Sequence, residues 1–97
     1  MVKKMKTIYK YPIKIDNNGV CIVDLPKNSQ ILKVTKFHNQ QDVCLWALVD
    51  ETETETIKKI FKVFGTGHLI DHMYNNGKYI DTFEINEFVF HIFEVLI

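Results

Sequence analysis

Residues 43–50, with the sequence VCLWALVD, restrict the fold of this chain more than any other segment does. Their apolar side chains alternate between two faces, which carry Val43, Leu45, Ala47 and Val49 on one side and Cys44, Trp46 and Leu48 on the other. A strand that is apolar on both faces is typical of the inside of a sheet that is covered on each side. We therefore expect this segment to be the central strand of a β-sheet.

Other short segments also have strand character, because they are rich in β-branched and aromatic residues and are bounded by turn signals. The expected strands span residues 6–11, 20–24, 30–38, 56–64, 78–85 and 87–95, and the expected turns cover residues 16–19, 26–29 and 39–42 and Asn86. Asn18–Gly19 is a pair favoured in two-residue hairpins, and Pro12 should end a strand or lie on a sheet edge. A series of about six to seven short strands predicts an all-β fold, a small antiparallel sandwich or barrel.

Residues 51–64 allow two interpretations. The spacing of an amphipathic helix is shown by Ile57, Ile60, Phe61 and Phe64. The alternation of a strand is shown by Ile57, Lys59, Phe61 and Val63. Because threonines precede the apolar residues and threonine favours strands, we expect a strand over residues 56–64, with a helix as the alternative.

Length and charge limit the partners of this chain. Its 97 residues predict a single β domain over residues 1–97, with residues 1–5 as an N-terminal extension. The 12 lysines are balanced by 12 acidic residues, and arginine is absent. Long nucleic acids are held mainly by lysine and arginine on phosphates, so we expect no long nucleic acid as a partner.

Cys21 and Cys44 each lie in an apolar run and are expected to be buried, reduced thiols. No signal peptide follows the lysines of residues 1–6, and no apolar run approaches the roughly 18 residues of a membrane helix. We expect the cytoplasm of the host cell and no membrane contact. Residues 87–95 are apolar on both faces, which predicts burial against another subunit and therefore a homo-oligomer, a dimer or tetramer.

Gly65-Thr66-Gly67-His68 is the most suggestive local motif, and we call it the glycine bend. Two glycines one residue apart permit positive φ angles and close approach of a ligand, and consecutive amides in such a turn can form an anion-binding nest. Thr66 and His68 add a hydroxyl and an imidazole. The alternative is a tight turn or bulge that ends a strand. The spacing does not fit a P-loop.

The remaining candidate groups favour binding over catalysis. His68 and His72 have the spacing of a zinc pair on a helix, but the segment is short, and we expect neither a metal nor another cofactor. His91 is either a ligand contact or a hydrogen-bonded histidine of the interior. Aromatic rings such as Trp46 either fill the core or stack on a base. Nothing in the sequence selects a nucleophile with its base, so no catalytic residue is expected.

Five ordered sequence blocks carry a family resemblance. They are TIYKYP from Thr7, LP at Leu25, CLWALVD from Cys44, GTGHLI from Gly65 and FVFHIFE from Phe88. This order resembles a family of small bacteriophage proteins whose members usually begin at the residue that matches Met5. That family is similar to the anti-CBASS sponges, oligomeric β proteins that sequester cyclic dinucleotides such as cGAMP and so silence a bacterial antiviral signal.

The resemblance implies a phage anti-defence protein, not an enzyme, with a cyclic dinucleotide as its ligand. Side-chain chemistry then assigns stacking to Trp46 and Tyr11, phosphate contacts to the glycine bend and Lys10, and a secondary role to His91. Two alternatives stay open. One is a protein-interaction module or inhibitor of a host protein, and the other is a small hydrolase that uses a histidine.

Overall fold

The computed structural model describes residues 5–36, 43–70 and 77–96, and in these ranges the chain is all-β. Its strands are β1 (Lys6–Ile13), β2 (Val20–Pro26), β3 (Gln30–Lys36), β4 (Val43–Asp50), β5 (Thr56–Gly65), β6 (Lys78–Ile85) and β7 (Phe88–Glu94). They form a three-stranded sheet in the order β1-β4-β3 and a four-stranded sheet in the order β2-β5-β7-β6. All pairings are antiparallel. The all-β prediction is confirmed.

The predicted central position of residues 43–50 is confirmed, because they form β4 between β1 and β3. The expected cover on both faces is found in full only on the inward face, since Trp46 and Leu48 on the other face are partly exposed. The inward residues Val43, Leu45, Ala47 and Val49 are at most 1% exposed. On its other face Cys44 is buried, while Trp46 and Leu48 are half-buried. Period-two alternation therefore sets the orientation of this strand, as the sequence predicted.

The hydrophobic core lies between the sheets. The four-stranded sheet contributes buried residues from each of its strands, namely Cys21, Val23, Leu25, Phe61, Phe83 and Ile92. Cys44 is also buried, so burial of both thiols is confirmed. Full burial of a side chain such as Phe61 stabilises the fold by about 1.5–3 kcal/mol.

The uncertain segment is a strand, and the helical alternative is wrong. β5 pairs with β2 from Val20↔Lys62 to Pro26↔Thr56 and with β7 from Phe61↔Glu94 to Gly65↔Phe90. Phe61 points into the core and is fully buried. Pairing on both sides uses the backbone groups of β5 in ladders, which overrides the local helical spacing of its apolar residues.

The structure has turns at most of the predicted positions, but one prediction about strand pairing is wrong. Gly19 has a φ of 78°, but the strands on either side of Asn18–Gly19 do not pair with each other. The hairpin prediction is therefore wrong, because this turn carries the chain from one sheet to the other. A hairpin does form at Asn86 and Glu87, whose φ angles of 48° and 73° join β6 to β7. Pro12 lies in the edge strand β1, as expected.

The sheets are also joined at their sides. β6 has an irregularity at Ile80, and the next residue, Asp81, accepts a hydrogen bond from the amide of Val34 in β3 at 2.8 Å.

The described ranges contain no helix with the length and apolarity to cross a membrane. The predicted turn at residues 39–42, the end of the third expected strand at residues 37–38, and His72 lie outside the described residues.

Candidate functional site

A cavity of about 860 Å³ opens at one end of the sandwich. Three segments surround it: the turn at residues 16–19, the end of β5 with the glycine bend, and the turn that follows β6. Ligand pockets usually measure about 300–1,000 Å³, so this cavity is large enough for a small molecule with two ring systems.

The floor of the cavity is apolar and aromatic. Ile15, Val63, Ile85 and Phe90 line it and also pack against the hydrophobic core. Phe88 lines the cavity as well, and 69% of this residue is exposed. An exposed aromatic ring beside an apolar floor offers a flat face on which a planar ligand group can stack.

The glycine bend holds an imidazole on the rim of the cavity. The Gly65 amide donates to Nδ1 of His68 at 3.3 Å, and the His68 amide donates to the Gly65 carbonyl at 3.1 Å. A Cβ on Gly65 would lie 2.8 Å from Cε1 of His68, and Gly67 has a φ of 87°. With Nδ1 accepting, the neutral ring carries its proton on Nε2 as a donor. Gly65 therefore leaves space for the His68 ring, and Gly67 adopts the positive φ that the bend requires.

The backbone of the bend is not the open anion nest that its two glycines suggested. The amides of Gly65 and His68 donate within the bend, and the Thr66 amide donates to the Val89 carbonyl at 3.1 Å. Amides that already donate to the protein are not available to an anion. A phosphate in this cavity would therefore be held mainly by side chains.

Lys62 brings a positive charge to the same rim. Its ammonium group donates to the Asn18 carbonyl and lies 5.7 Å from the centre of the Phe64 ring. The Asp16 carboxylate accepts the amides of Asn18 and Val20 at 2.8 and 2.9 Å. Because this carboxylate is bound to its own turn, the lysine is the rim charge best suited to a ligand anion.

Thr66 and His91 meet on the outer face of the four-stranded sheet, not in the cavity. Thr66 Oγ1 lies 2.8 Å from His91 Nε2 and donates to the Val89 carbonyl, 3.2 Å away. His91 Nδ1 lies 3.0 Å from the Thr82 hydroxyl, which lies 2.7 Å from the Tyr79 hydroxyl. If His91 is neutral with its proton on Nε2, every group in the series has a partner. The Tyr79 hydroxyl then donates to the Thr82 hydroxyl, which donates to Nδ1 of His91. Nε2–H of His91 donates to the Thr66 hydroxyl, which donates to the Val89 carbonyl. We call this series of groups the hydroxyl–imidazole chain.

Trp46 and Lys10 lie together on the outer face of the three-stranded sheet. They are direct cross-strand partners, and the Lys10 ammonium lies 5.8 Å from the centre of the Trp46 ring. The indole N–H donates to the Thr35 hydroxyl at 2.8 Å. Tyr11 has the opposite orientation and packs against the core, where burial and, secondarily, the neighbouring Tyr9 raise the pKa of its phenol.

The predicted ligand residues thus fall into four places. Gly65 and His68 line the cavity, Thr66 and His91 belong to the hydroxyl–imidazole chain, Lys10 and Trp46 lie on the other sheet, and Tyr11 packs against the core. Gly67 has the positive φ that completes the bend.

Sequence reasoning missed Lys62 and Phe88 as cavity residues. Phe88 was recognised only as an apolar strand residue, and the turn at residues 16–19 only as a turn. The link between these segments is long-range, because the Val63 amide donates to the Gly19 carbonyl at 2.7 Å. In the described part of the chain, no group of three or more His, Cys, Asp or Glu side chains could hold a metal ion.

Comparison with known proteins identifies a family relationship. A family model described as "Domain of unknown function (DUF7352)" matches residues 5–96, almost the whole chain. No curated protein matches the sequence, and no solved structure matches it.

Proposed function

We propose that this chain, which belongs to the DUF7352 family, binds a cyclic dinucleotide such as cGAMP and sequesters it without cleaving it. In this proposal it is a phage protein that acts in the cytoplasm of the infected bacterium and inhibits CBASS-type immunity. The cavity at the end of the sandwich is the binding site. The sequence resemblance to anti-CBASS sponges supplies the ligand class, and the chemistry of the cavity supplies the contacts.

The observation that carries the proposal is the pairing of an exposed aromatic ring with a cationic rim in one cavity. Phe88 gives a stacking face for a base, an interaction of about 1–3 kcal/mol. Lys62 and the Nε2–H of His68 supply a charge and a donor for phosphate oxygens. The volume of about 860 Å³ suits a ligand with two bases and two phosphates.

Binding without cleavage is favoured by how the titratable groups of the rim are used. Nδ1 of His68 accepts the Gly65 amide, and the Asp16 carboxylate accepts two amides of its own turn. A general base must reach the proton that it removes from the attacking group. Groups that already hold the backbone in place serve better as parts of a rigid binding site.

The test is to incubate the purified protein with a panel of cyclic dinucleotides and measure binding by calorimetry. The protein is then denatured, and the released ligand is analysed by chromatography and mass spectrometry. We expect tight binding of at least one member and its recovery intact. Recovery of a linear product would mean an enzyme, and absence of binding across the panel would reject the proposed ligand class.

A further inference from the structure

The glycine bend has the geometry of a type II turn. The His68 amide donates to the Gly65 carbonyl at 3.1 Å, which closes the four residues of the turn. Gly67 has a φ of 87°, as the second central position of a type II turn requires, and Thr66 has the first central position, at the corner. The direction in which His68 points therefore depends on how this corner is held.

On the cavity side, the His68 imidazole takes the place of a strand partner. The pairing of β2 with β5 ends at Lys62, and beyond it the Val63 amide donates to the Gly19 carbonyl. Amides of alternate residues in a strand point the same way, so the next amide on this side is that of Gly65. Nδ1 of His68 accepts it at 3.3 Å. This contact orients the ring on the rim of the cavity, which His68 lines.

On the other side, the corner of the bend is bound to β7. The Thr66 amide and hydroxyl both donate to the Val89 carbonyl, at 3.1 and 3.2 Å. The hydroxyl oxygen also lies 2.8 Å from Nε2 of His91. When Nε2 donates, the single hydroxyl hydrogen stays on the Val89 carbonyl; if Nε2 accepted, that hydrogen would turn to the ring. His91 therefore controls the second bond between Thr66 and β7.

The position and the tautomer of His91 are fixed in turn. β7 lies inside the four-stranded sheet, and His91 is the direct cross-strand partner of Phe64 in β5 and of Thr82 in β6. Its Nδ1 lies 3.0 Å from the Thr82 hydroxyl, which lies 2.7 Å from the Tyr79 hydroxyl. With Tyr79 donating to Thr82, the Thr82 hydrogen is directed to Nδ1, and Nε2 keeps the proton. An inner strand thus presents a donor to the corner of the bend.

We propose that His91 and Thr66 are positioning residues for His68. From the outer face of the sheet they hold the corner of the glycine bend on β7, and so they aim the His68 imidazole at the cavity. The effect on ligand affinity rests on the proposed function. The effect on the order of the bend does not, because it is measured without a ligand.

Thr66→Val tests the hydroxyl, because it removes that group and keeps a β-branched side chain in the same space. In hydrogen exchange followed by NMR, we expect the Gly65 and His68 amides to exchange about 2- to 13-fold faster, the factor that corresponds to one hydrogen bond. Thr66→Ser should match the wild type. The control is Thr35→Val, which removes a hydroxyl that accepts the indole N–H of Trp46 at 2.8 Å on the other sheet. It should leave the exchange of both bend amides unchanged.

His91 is tested through the donor that it offers. His91→Leu removes the donor to Thr66, and His91→Gln keeps a side-chain N–H on a side chain of similar length. We expect the bend amides of His91→Leu to exchange as in Thr66→Val, and those of His91→Gln to exchange more slowly. The double variant Thr66→Val with His91→Leu should exchange no faster than either single variant, because both substitutions remove the same interaction.

Calorimetry then measures the affinity for the cyclic dinucleotide that binds tightest in the panel. Thr66→Val should raise the dissociation constant about 2- to 13-fold. It should have no effect in a protein that already carries His68→Ala, since the ring that it positions is absent. A residue that only stabilises the fold would weaken binding equally in both backgrounds.

Three outcomes would overturn the proposal: wild-type exchange of the bend amides in Thr66→Val and His91→Leu, equal effects of Thr66→Val and Thr35→Val, and wild-type affinity of Thr66→Val for a ligand that His68→Ala binds more weakly. If no member of the panel binds, the proposed function fails and the exchange rates alone decide the role of Thr66 and His91. Thermal unfolding checks each variant, and if either Thr66→Val or His91→Leu fails to fold, the other carries the test.

Discussion

The carboxylate of Asp81 accepts a hydrogen bond from the backbone amide of Val34 at 2.8 Å and so links the four-stranded sheet to the side of the three-stranded sheet. Val34 is buried, and β3 lies at the edge of its sheet. An unpaired amide at such an edge would lose its bond to water without gaining another. The irregularity in β6 just before Asp81 places the carboxylate where the amide needs it.

Loss of this carboxylate should destabilise the fold. Asp81→Ala removes a charged acceptor from a partly buried amide, and we expect the free energy of unfolding to fall by about 1.5–3 kcal/mol. Asp81→Asn keeps an oxygen acceptor and should lose less. Urea unfolding at neutral pH measures all three proteins. Asp24→Ala is the control, because its ion pair with Lys58 is solvent-exposed and should contribute at most about 1 kcal/mol. Equal losses at both positions would contradict the role of Asp81.

The aromatic ring of Phe88 should carry much of the ligand affinity. With 69% of Phe88 exposed, Phe88→Ala should leave stability nearly unchanged, but loss of one stacked base should raise the dissociation constant about 5- to 150-fold. Calorimetry with the tightest cyclic dinucleotide of the panel measures the effect.

Trp46→Leu separates the cavity from the other aromatic site. It removes a ring from the outer face of the three-stranded sheet while keeping an apolar side chain in β4. We expect ligand affinity equal to that of the wild type. A strong loss in Trp46→Leu together with normal binding by Phe88→Ala would move the ligand from the cavity to the surface formed by Trp46 and Lys10.

The fold was largely predictable because its signals are local. Alternation in residues 43–50 specified both the strand and its inward face, and the polar turns marked the strand ends. Pairing was not predictable in the same way. Asn18–Gly19 has the composition of a hairpin turn and the positive φ that a glycine permits, but turn chemistry does not determine whether the flanking strands join the same sheet.

The candidate site was predicted only in part for the same reason. The glycine bend was visible as a motif, and His68 does line a cavity. Lys62 and Phe88 reach that cavity because β5 pairs with both β2 and β7, which is a long-range property. Trp46 was chosen for its chemistry alone, and its separation from the bend follows from sheet order, which no local pattern encodes.

Gly65 should act on the ligand through His68. A methyl group at position 65 would lie 2.8 Å from Cε1 of the imidazole, so Gly65→Ala should push the ring away from its place on the rim. We expect Gly65→Ala and His68→Ala to weaken ligand binding by similar factors, and the double variant to be no weaker than His68→Ala. Calorimetry on the four proteins gives the coupling. Additive losses would show that Gly65 affects the cavity independently of the histidine.

Cys21 should make the fold less stable in alkaline solution. Burial and, secondarily, the nearby Asp16 raise the pKa of its thiol from 9.0 to about 11. Between these values the unfolded chain loses the proton and the folded chain keeps it, so the free energy of unfolding falls as pH rises. The total fall is about 2–3 kcal/mol, since one pKa unit corresponds to 1.36 kcal/mol.

Urea unfolding from pH 8 upward should show this decline in the wild type and a smaller one in Cys21→Ala. Because lysines and tyrosines, including Tyr11, titrate in both proteins, the difference between the two curves isolates the thiol. Parallel curves would mean that Cys21 ionises as readily in the folded protein as in the unfolded chain.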